Sequence, residues 1–274
     1  MKQILYPTDF SDNSEHALPF AMEVARLFGA ELTLFNSYQL PYSKSNLLVS
    51  IQDRMKKDSE EGLNRLVTQI AGIEKYKDLE VVKSSRSGGF VSLIPKIAAR
   101  NNSNLIVMGT KGASGIKEIF IGSNTLEVIQ ATHCPVLAIP ENVKLKRLEK
   151  IAFATDFREI KNPKQLEPLF DIARKINAPI EFVYILRSSD GDFDEQKAEQ
   201  AIKLEKMAEG IKTSIFFISN EDIIDGLSEY INKIEPDMLS MLSRSHTLFE
   251  RLFTSSITSK LSFRTEIPLL VLDE

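Results

Sequence analysis

The chain has 274 residues, 43% of them hydrophobic and 26% charged, which suits two ordinary domains and is short for three. Thirty-four basic against 38 acidic residues leave a net charge of −4, excluding bulk electrostatic binding to nucleic acid or anionic lipid. The single cysteine, Cys134, excludes an internal disulfide framework and fits a reducing cytoplasm, no window reaches the roughly 18 apolar residues of a membrane span, and Met1–Pro7 has no signal-peptide pattern.

Apolar runs at about residues 3–8, 31–37, 79–84, 104–108 and 135–139 predict strands. They are rich in Val, Ile, Leu and Phe and lack polar alternation, as expected of strands covered on both faces of a parallel sheet. Behind the N-cap candidates Ser11 and Asp12, residues Ala17, Phe20, Ala21, Val24 and Ala25 recur at helical spacing. Leu47–Ile51 predicts a buried helix start, with a lid or a dimer contact as the alternative. Val91, Ile94, Ile97 and Ala98 predict a further helix, and Gly122-Ser123-Asn124-Thr125 opens one that closes near Ala131.

The pattern then begins again. Thr8-Asp9-Phe10 reappears as Thr155-Asp156-Phe157, 147 positions on, and Cys134–Ile139 aligns with Ile267–Leu272 at a spacing of 133. The first half is therefore longer by about fifteen residues, which the alignment places in 39–57. Leu166, Leu169, Phe170 and Ala173 predict the second half's first helix, and Ile223, Ile224, Leu227 and Ile231 its third. Repeats of this length are whole domains rather than solenoid units. The expected division is 1–141 and 142–274, with the seam in the charged run Asn142–Glu149. Alternating strand and helix implies open parallel sheets with helices on both faces, and such sheets bind ligands beyond the carboxyl ends of their strands.

One loop at that end carries a signal. The strand at 104–108 runs into Gly109-Thr110-Lys111-Gly112, and Gly122-Ser123 follows, a Gly-x2-Gly-x9-Gly-Ser spacing. Glycines after a strand let backbone N–H groups approach an anion and tolerate positive φ. A Gly-Ser-x-Thr helix start adds hydroxyls and the positive end of the dipole. Together they predict a phosphate cradle.

Ile4–Ser11, Leu105–Gly112 and His133–Leu137 resemble the universal stress protein (UspA) family, closely in the first half and more loosely in the second. The resemblance implies two tandem five-stranded parallel sheets of order 3-2-1-4-5, an adenine nucleotide alpha hydrolase-like fold. Its ATP-binding branch carries the same glycine spacing. By resemblance Gly109, Gly112, Ser123 and Asn124 would hold phosphates, with Met108, Lys111, Gly122 and Thr125 beside them. Asp9, with Pro7 and Thr8, would face the adenosine or a bridging Mg ion. Phe35, Asn36 and Ser37 would meet the adenine through their backbone. Family members pair through their last strands, so an intramolecular pseudo-dimer is implied, with a further homodimer open.

In the second half Gly109, Gly112 and Gly122 become Leu242, Ser245 and Ser255, with Ser256 opposite Ser123. Leucine cannot cheaply take a backbone shape that needs glycine, and its side chain is expected to fill space meant for a phosphate. One adenine nucleotide per chain is therefore expected, although Arg244 and Arg251 leave a different anion open in the second half. Helix capping competes with a ligand role for Asp9, and plain solvation with phosphate sensing for Lys111. His133-Cys134 reads as inert. Asp190–Asp194 imitates a calcium loop but lacks its glycine and its final glutamate, which reads as a solvated acidic turn. The leading expectation is a cytoplasmic, stress-related ATP-binding protein that signals to a protein partner. The alternatives are a slow ATP hydrolase, against which no carboxylate or glutamine of the cradle is placed to orient water, and a nucleotide-free dimerising scaffold.

Overall fold

The structure is a computed structural model and describes residues 1–39, 47–110, 123–188, 193–243 and 267–273, with the side chains of 47–50 and 123 outside that description. It divides into two compact units, Met1–Glu141 and Asn142–Glu274.

The first unit alternates β1 (Gln3–Pro7), α1 (Asp12–Phe28), β2 (Glu31–Tyr38), α2 (Leu47–Ala71), β3 (Val81–Ser87), α3 (Phe90–Arg100), β4 (Leu105–Gly109), α4 (Ser123–Ala131) and β5 (Val136–Ile139). Its strands run parallel in the order β3-β2-β1-β4-β5. The chain reverses direction across the sheet between β1 and β4, which makes that gap the topological switch point. Ile4, Leu5, Leu32, Leu34, Leu105, Ile106 and Val107 are wholly buried, the two-sided burial that the unbroken apolar runs imply. Ser11 caps α1 by accepting from the Ser14 N–H, and Gly29 closes it in the left-handed conformation at φ 59°.

The second unit repeats the plan with β6 (Ile151–Ala154), α5 (Glu167–Ile176), β7 (Ile180–Leu186), α6 (Glu195–Met207), β8 (Thr213–Ser219), α7 (Ile223–Ile234), β9 (Met238–Leu242) and β10 (Leu269–Leu272). Its parallel order is β10-β9-β6-β7-β8. Asn177 takes the place of Gly29, also left-handed at φ 55°. The repeat reaches single hydrogen bonds. Asn104 Oδ1 accepts from the N–H groups of Lys2 and Gln3 at 2.6 and 3.1 Å. Asp237 Oδ2 accepts from those of Glu149 and Lys150 at 2.7 and 3.0 Å. The aspartate also holds Lys146 Nζ at 2.6 Å. Burial raises the Asp237 carboxyl, but these three donors outweigh it and leave the pKa below its ordinary value.

Two expectations change here. Ile51 is 40% exposed, so the opening of α2 is not a buried helix start at that residue. The end of the acidic stretch is not simply solvated: Asp194 caps α6 by accepting from Lys197 N–H at 2.8 Å, and the Phe193 ring meets Phe157 and Tyr184 at 5.6 Å. Residues 190–192 of that stretch lie outside the described residues.

Candidate functional site

Parallel strands turn successive residues' backbone groups to alternate sides. Thr8 N–H donates to the Phe35 carbonyl at 2.8 Å, so Thr8, Tyr6 and Ile4 face β2. Leu5 and Pro7 therefore face β4. Proline has no N–H, so β1 loses a donor on its β4 side at the last residue before the switch point. The β1–β4 ladder covers only Ile4 and Leu5, whereas β1 stays paired with β2 through Pro7. In the second unit Ala154 stands where Pro7 does, and β6 remains paired with β9 to its last residue, Ala154 with Met241. The hydrogen-bonded ladder at the switch point is therefore shorter in the first unit than in the second, and the proline ring accounts for the missing donor.

Beyond Pro7 the chain turns sharply into α1. Thr8 is buried, and its hydroxyl accepts from Phe10 N–H at 3.0 Å and lies 2.9 Å from Ser14 Oγ. The Tyr6 hydroxyl donates to the Ser14 carbonyl, and burial keeps that phenol protonated well above its usual range. Asp9 is exposed, and its Oδ1 accepts from Ser11 N–H at 3.0 Å and Ser11 Oγ at 2.5 Å, a turn that presents the carboxylate beside the amino end of α1. Phe10 adopts φ 60°. A left-handed backbone costs an L-residue about 1–2 kcal/mol, so the turn is held from outside. The second unit repeats the backbone of the turn: Thr155 N–H to Val183 O at 3.0 Å, Phe157 N–H to Thr155 Oγ1 at 3.1 Å, and Arg158 N–H to Asp156 Oδ1 at 3.1 Å, with Phe157 at φ 49°.

On β2, the Phe35 side chain is wholly buried and its carbonyl is taken by Thr8. Asn36 is buried, and its Nδ2 donates to the Thr8 carbonyl at 2.7 Å. By the same alternation the Ser37 backbone faces the side where β1 has already ended. Of the three residues expected to meet a base through main-chain groups, Ser37 has the geometry for it.

At the other lip, Met108 is buried and Gly109 is the last residue of β4, in register with Ile139. Gly109 is not among the glycines with positive φ. Leu242 ends β9 in the same register, opposite Leu272. The expectation that leucine fails on backbone shape is thus incorrect: both residues close an extended strand, and the difference is the side chain alone. Thr125 is buried, and its hydroxyl donates to the Gly109 carbonyl at 2.9 Å, tying the first turn of α4 to the end of β4. Asn124 is exposed on the same turn, and Ser123 opens the helix. Lys111, Gly112 and Gly122 lie outside the described residues, as do Arg244, Ser245, Arg251, Ser255 and Ser256.

Pro7, Thr8, Asp9, Met108, Gly109, Asn124 and Thr125 are therefore brought to one end of one sheet, with Phe35 and Asn36 behind Thr8. Thr8, Asn36 and Thr125 spend their side-chain polar atoms on each other's backbone or on neighbouring turns. Their contribution is the shape of the rim. Among the described residues no group of three His, Cys, Asp or Glu side chains could hold a metal ion. Cys134 Sγ donates to the Ser103 carbonyl at 3.2 Å, and burial pushes its thiol up to about 12, which keeps it unreactive. No helix among the described residues is long and apolar enough to cross a membrane.

A doubly wound parallel α/β domain is present here twice, and the glycine-ended strand with a helix start tethered to it belongs to the first copy. The family model of the universal stress protein family matches residues 1–140 and again 147–273, and the chain belongs to that family. Its fold is accordingly adenine nucleotide alpha hydrolase-like. Two universal stress proteins of Methanocaldococcus jannaschii, MJ0531 and MJ0577, are 31% and 32% identical to it. Those matches span 52% and 50% of this chain and 84% and 94% of the relatives. A universal stress protein structure from Archaeoglobus fulgidus covers 99% of this chain and 98% of its own, at a TM-score of 0.73 and 23% identity, a likeness of fold. Another family member has been solved in complex with cAMP; it is 20% identical, covers 51% of this chain and 97% of its own, and has a TM-score of 0.34.

Proposed function

We propose that the first unit binds one adenine nucleotide, and that its occupied and empty forms are read by a protein partner. The observation that carries this reading is the contrast between equivalent strand ends. The β1–β4 ladder stops short of Pro7 and β4 ends on Gly109, which has no side chain at the lip, whereas the β6–β9 ladder runs to Ala154 and β9 ends on Leu242. In this reading the phosphates lie against Gly109 and the amino end of α4, where unpaired N–H groups and the helix dipole favour an anion. The base lies toward the Ser37 backbone. The nucleotide would supply the negative charge and the planar ring that these groups suit. Asp9 orients the turn at its rim rather than acting on water, since its Oδ1 already accepts two donors from Ser11.

Isothermal titration of the full chain with ATP, ADP, AMP and cAMP tests the proposal. Saturation by at least one of them near one site per chain is expected, and no saturation after Gly109→Leu. Equal affinity in the wild type and the Gly109→Leu protein would remove the assignment.

A further inference from the structure

We infer that Gly62 and Arg65 of α2 form a latch on Phe10 and are positioning residues for the candidate site. The inference rests on the functional reading above. Phe10 lies between Asp9 and Ser11 in the turn, with its backbone in the left-handed region at φ 60°. Its side chain must hold that conformation, because an aromatic residue does not choose it. The ring is seated against α2. A Cβ added to Gly62 would lie 2.5 Å from Phe10 Cζ, 2.7 Å from Cε2 and 2.8 Å from Cε1, closer than any methyl group can sit. Gly62 is therefore a notch cut for the ring edge. Three residues on, along the same helix face, the Arg65 guanidinium carbon lies 5.8 Å from the ring centroid. Arg65 Nη2 also meets Glu15 Oε1 at 3.2 Å, and the Glu15 N–H donates to the Ser11 carbonyl at 2.9 Å. One helix thus holds the turn by its ring and by the first turn of α1. The second unit reaches the same end by other means: Phe157, at φ 49°, packs its ring against Tyr184 and Phe193, each at 5.6 Å. Two different supports for the same strained residue indicate that the turn requires one. Through this latch the position of α2 sets the position of Asp9 and the Thr8 backbone, and ligand occupancy is passed back to α2.

The test is a double-mutant cycle on the full chain with Gly62→Ala, Phe10→Leu and the pair, read by nucleotide titration and by amide hydrogen exchange at Phe10 and Ser11. Gly62→Ala is expected to weaken nucleotide binding roughly tenfold, the scale of one overpacked contact, and to speed exchange at both amides. Phe10→Leu removes the three clashing ring atoms, so the double variant is expected to recover affinity and protection relative to Gly62→Ala alone. General destabilisation by the alanine would not be reversed in this way. Unchanged affinity and exchange in Gly62→Ala, or a double variant no better than Gly62→Ala, would overturn the latch. If the wild type takes up no nucleotide, the functional proposal fails, and the exchange measurements then decide the latch by themselves.

Discussion

At the scale of single residues, the site is set by what two of them lack. Pro7 lacks an N–H on the side that faces β4, and Gly109 lacks a side chain at the end of β4. Pro7→Ala restores the donor and is expected to let β1 and β4 pair further, as β6 and β9 do. The new hydrogen bond and the lost ring rigidity nearly offset each other, so stability should move by no more than about 1 kcal/mol. Nucleotide affinity should fall roughly fivefold, since the ligand then competes with about one hydrogen bond's worth of closure. Titration calorimetry beside a urea denaturation curve checks both halves of that expectation. The glycine spacing was readable in the chain, and so was its place after a strand. The reason for Gly109 was not. Spacing says nothing of φ, and only the register with Ile139 shows an extended residue that leucine could copy in all but bulk. Phe10 was less legible still, because nothing in an aromatic residue announces a left-handed backbone.

At the scale of elements, α4 is held at the lip by one hydroxyl. Thr125→Val keeps the shape and leaves the buried Gly109 carbonyl without that donor, so a loss of about 1–3 kcal/mol is expected from the urea midpoint. Reduced nucleotide affinity should accompany it if the amino end of α4 meets the phosphates. Helix α1 is anchored at the far end of the sheet by Glu23. That carboxylate accepts from Arg26 at 2.7 Å, and also meets Lys75 Nζ at 2.7 Å and the Tyr76 hydroxyl at 3.0 Å. The Arg26 hydrogen bond is the largest influence; against the opposing effect of burial, it and the Lys75 and Tyr76 contacts hold the carboxyl at about 2. A carboxylate held below its unfolded value stabilises the fold above that value and loses the contribution as pH falls through the folded one. Arg26 and Lys75 are 40% and 51% exposed, so solvent screening reduces the gain to about 1 kcal/mol. Glu23→Gln should therefore be less stable than the wild type above pH ~5, with the gap closing between about pH 4 and pH 2. Thermal unfolding across that range measures it. The helices and strands themselves were legible because periodicity and two-sided burial are properties of composition. The inward turns of Thr8 and Thr125 were not, because a hydroxyl beside a ligand loop can face either way until the packing is known.

At the scale of the whole molecule, the chain carries one fold twice, with the hydrogen-bonded ladder at the switch point cut short in the first copy. The duplication is visible in the Thr-Asp-Phe repeat, and the structure extends it to Asn104 and Asp237, which do the same work on different strands. The two halves differ where a ligand would sit and agree where the fold needs support, which is the pattern expected when only one copy is kept for binding. The most direct measurement is the small-molecule content of the protein itself. Wild type and Gly109→Leu, purified without added nucleotide and then denatured, would be assayed for released adenine compounds by chromatography and mass spectrometry. The account predicts one adenine nucleotide per wild-type chain and none from the variant; equal content in both, or two per wild-type chain, would contradict it.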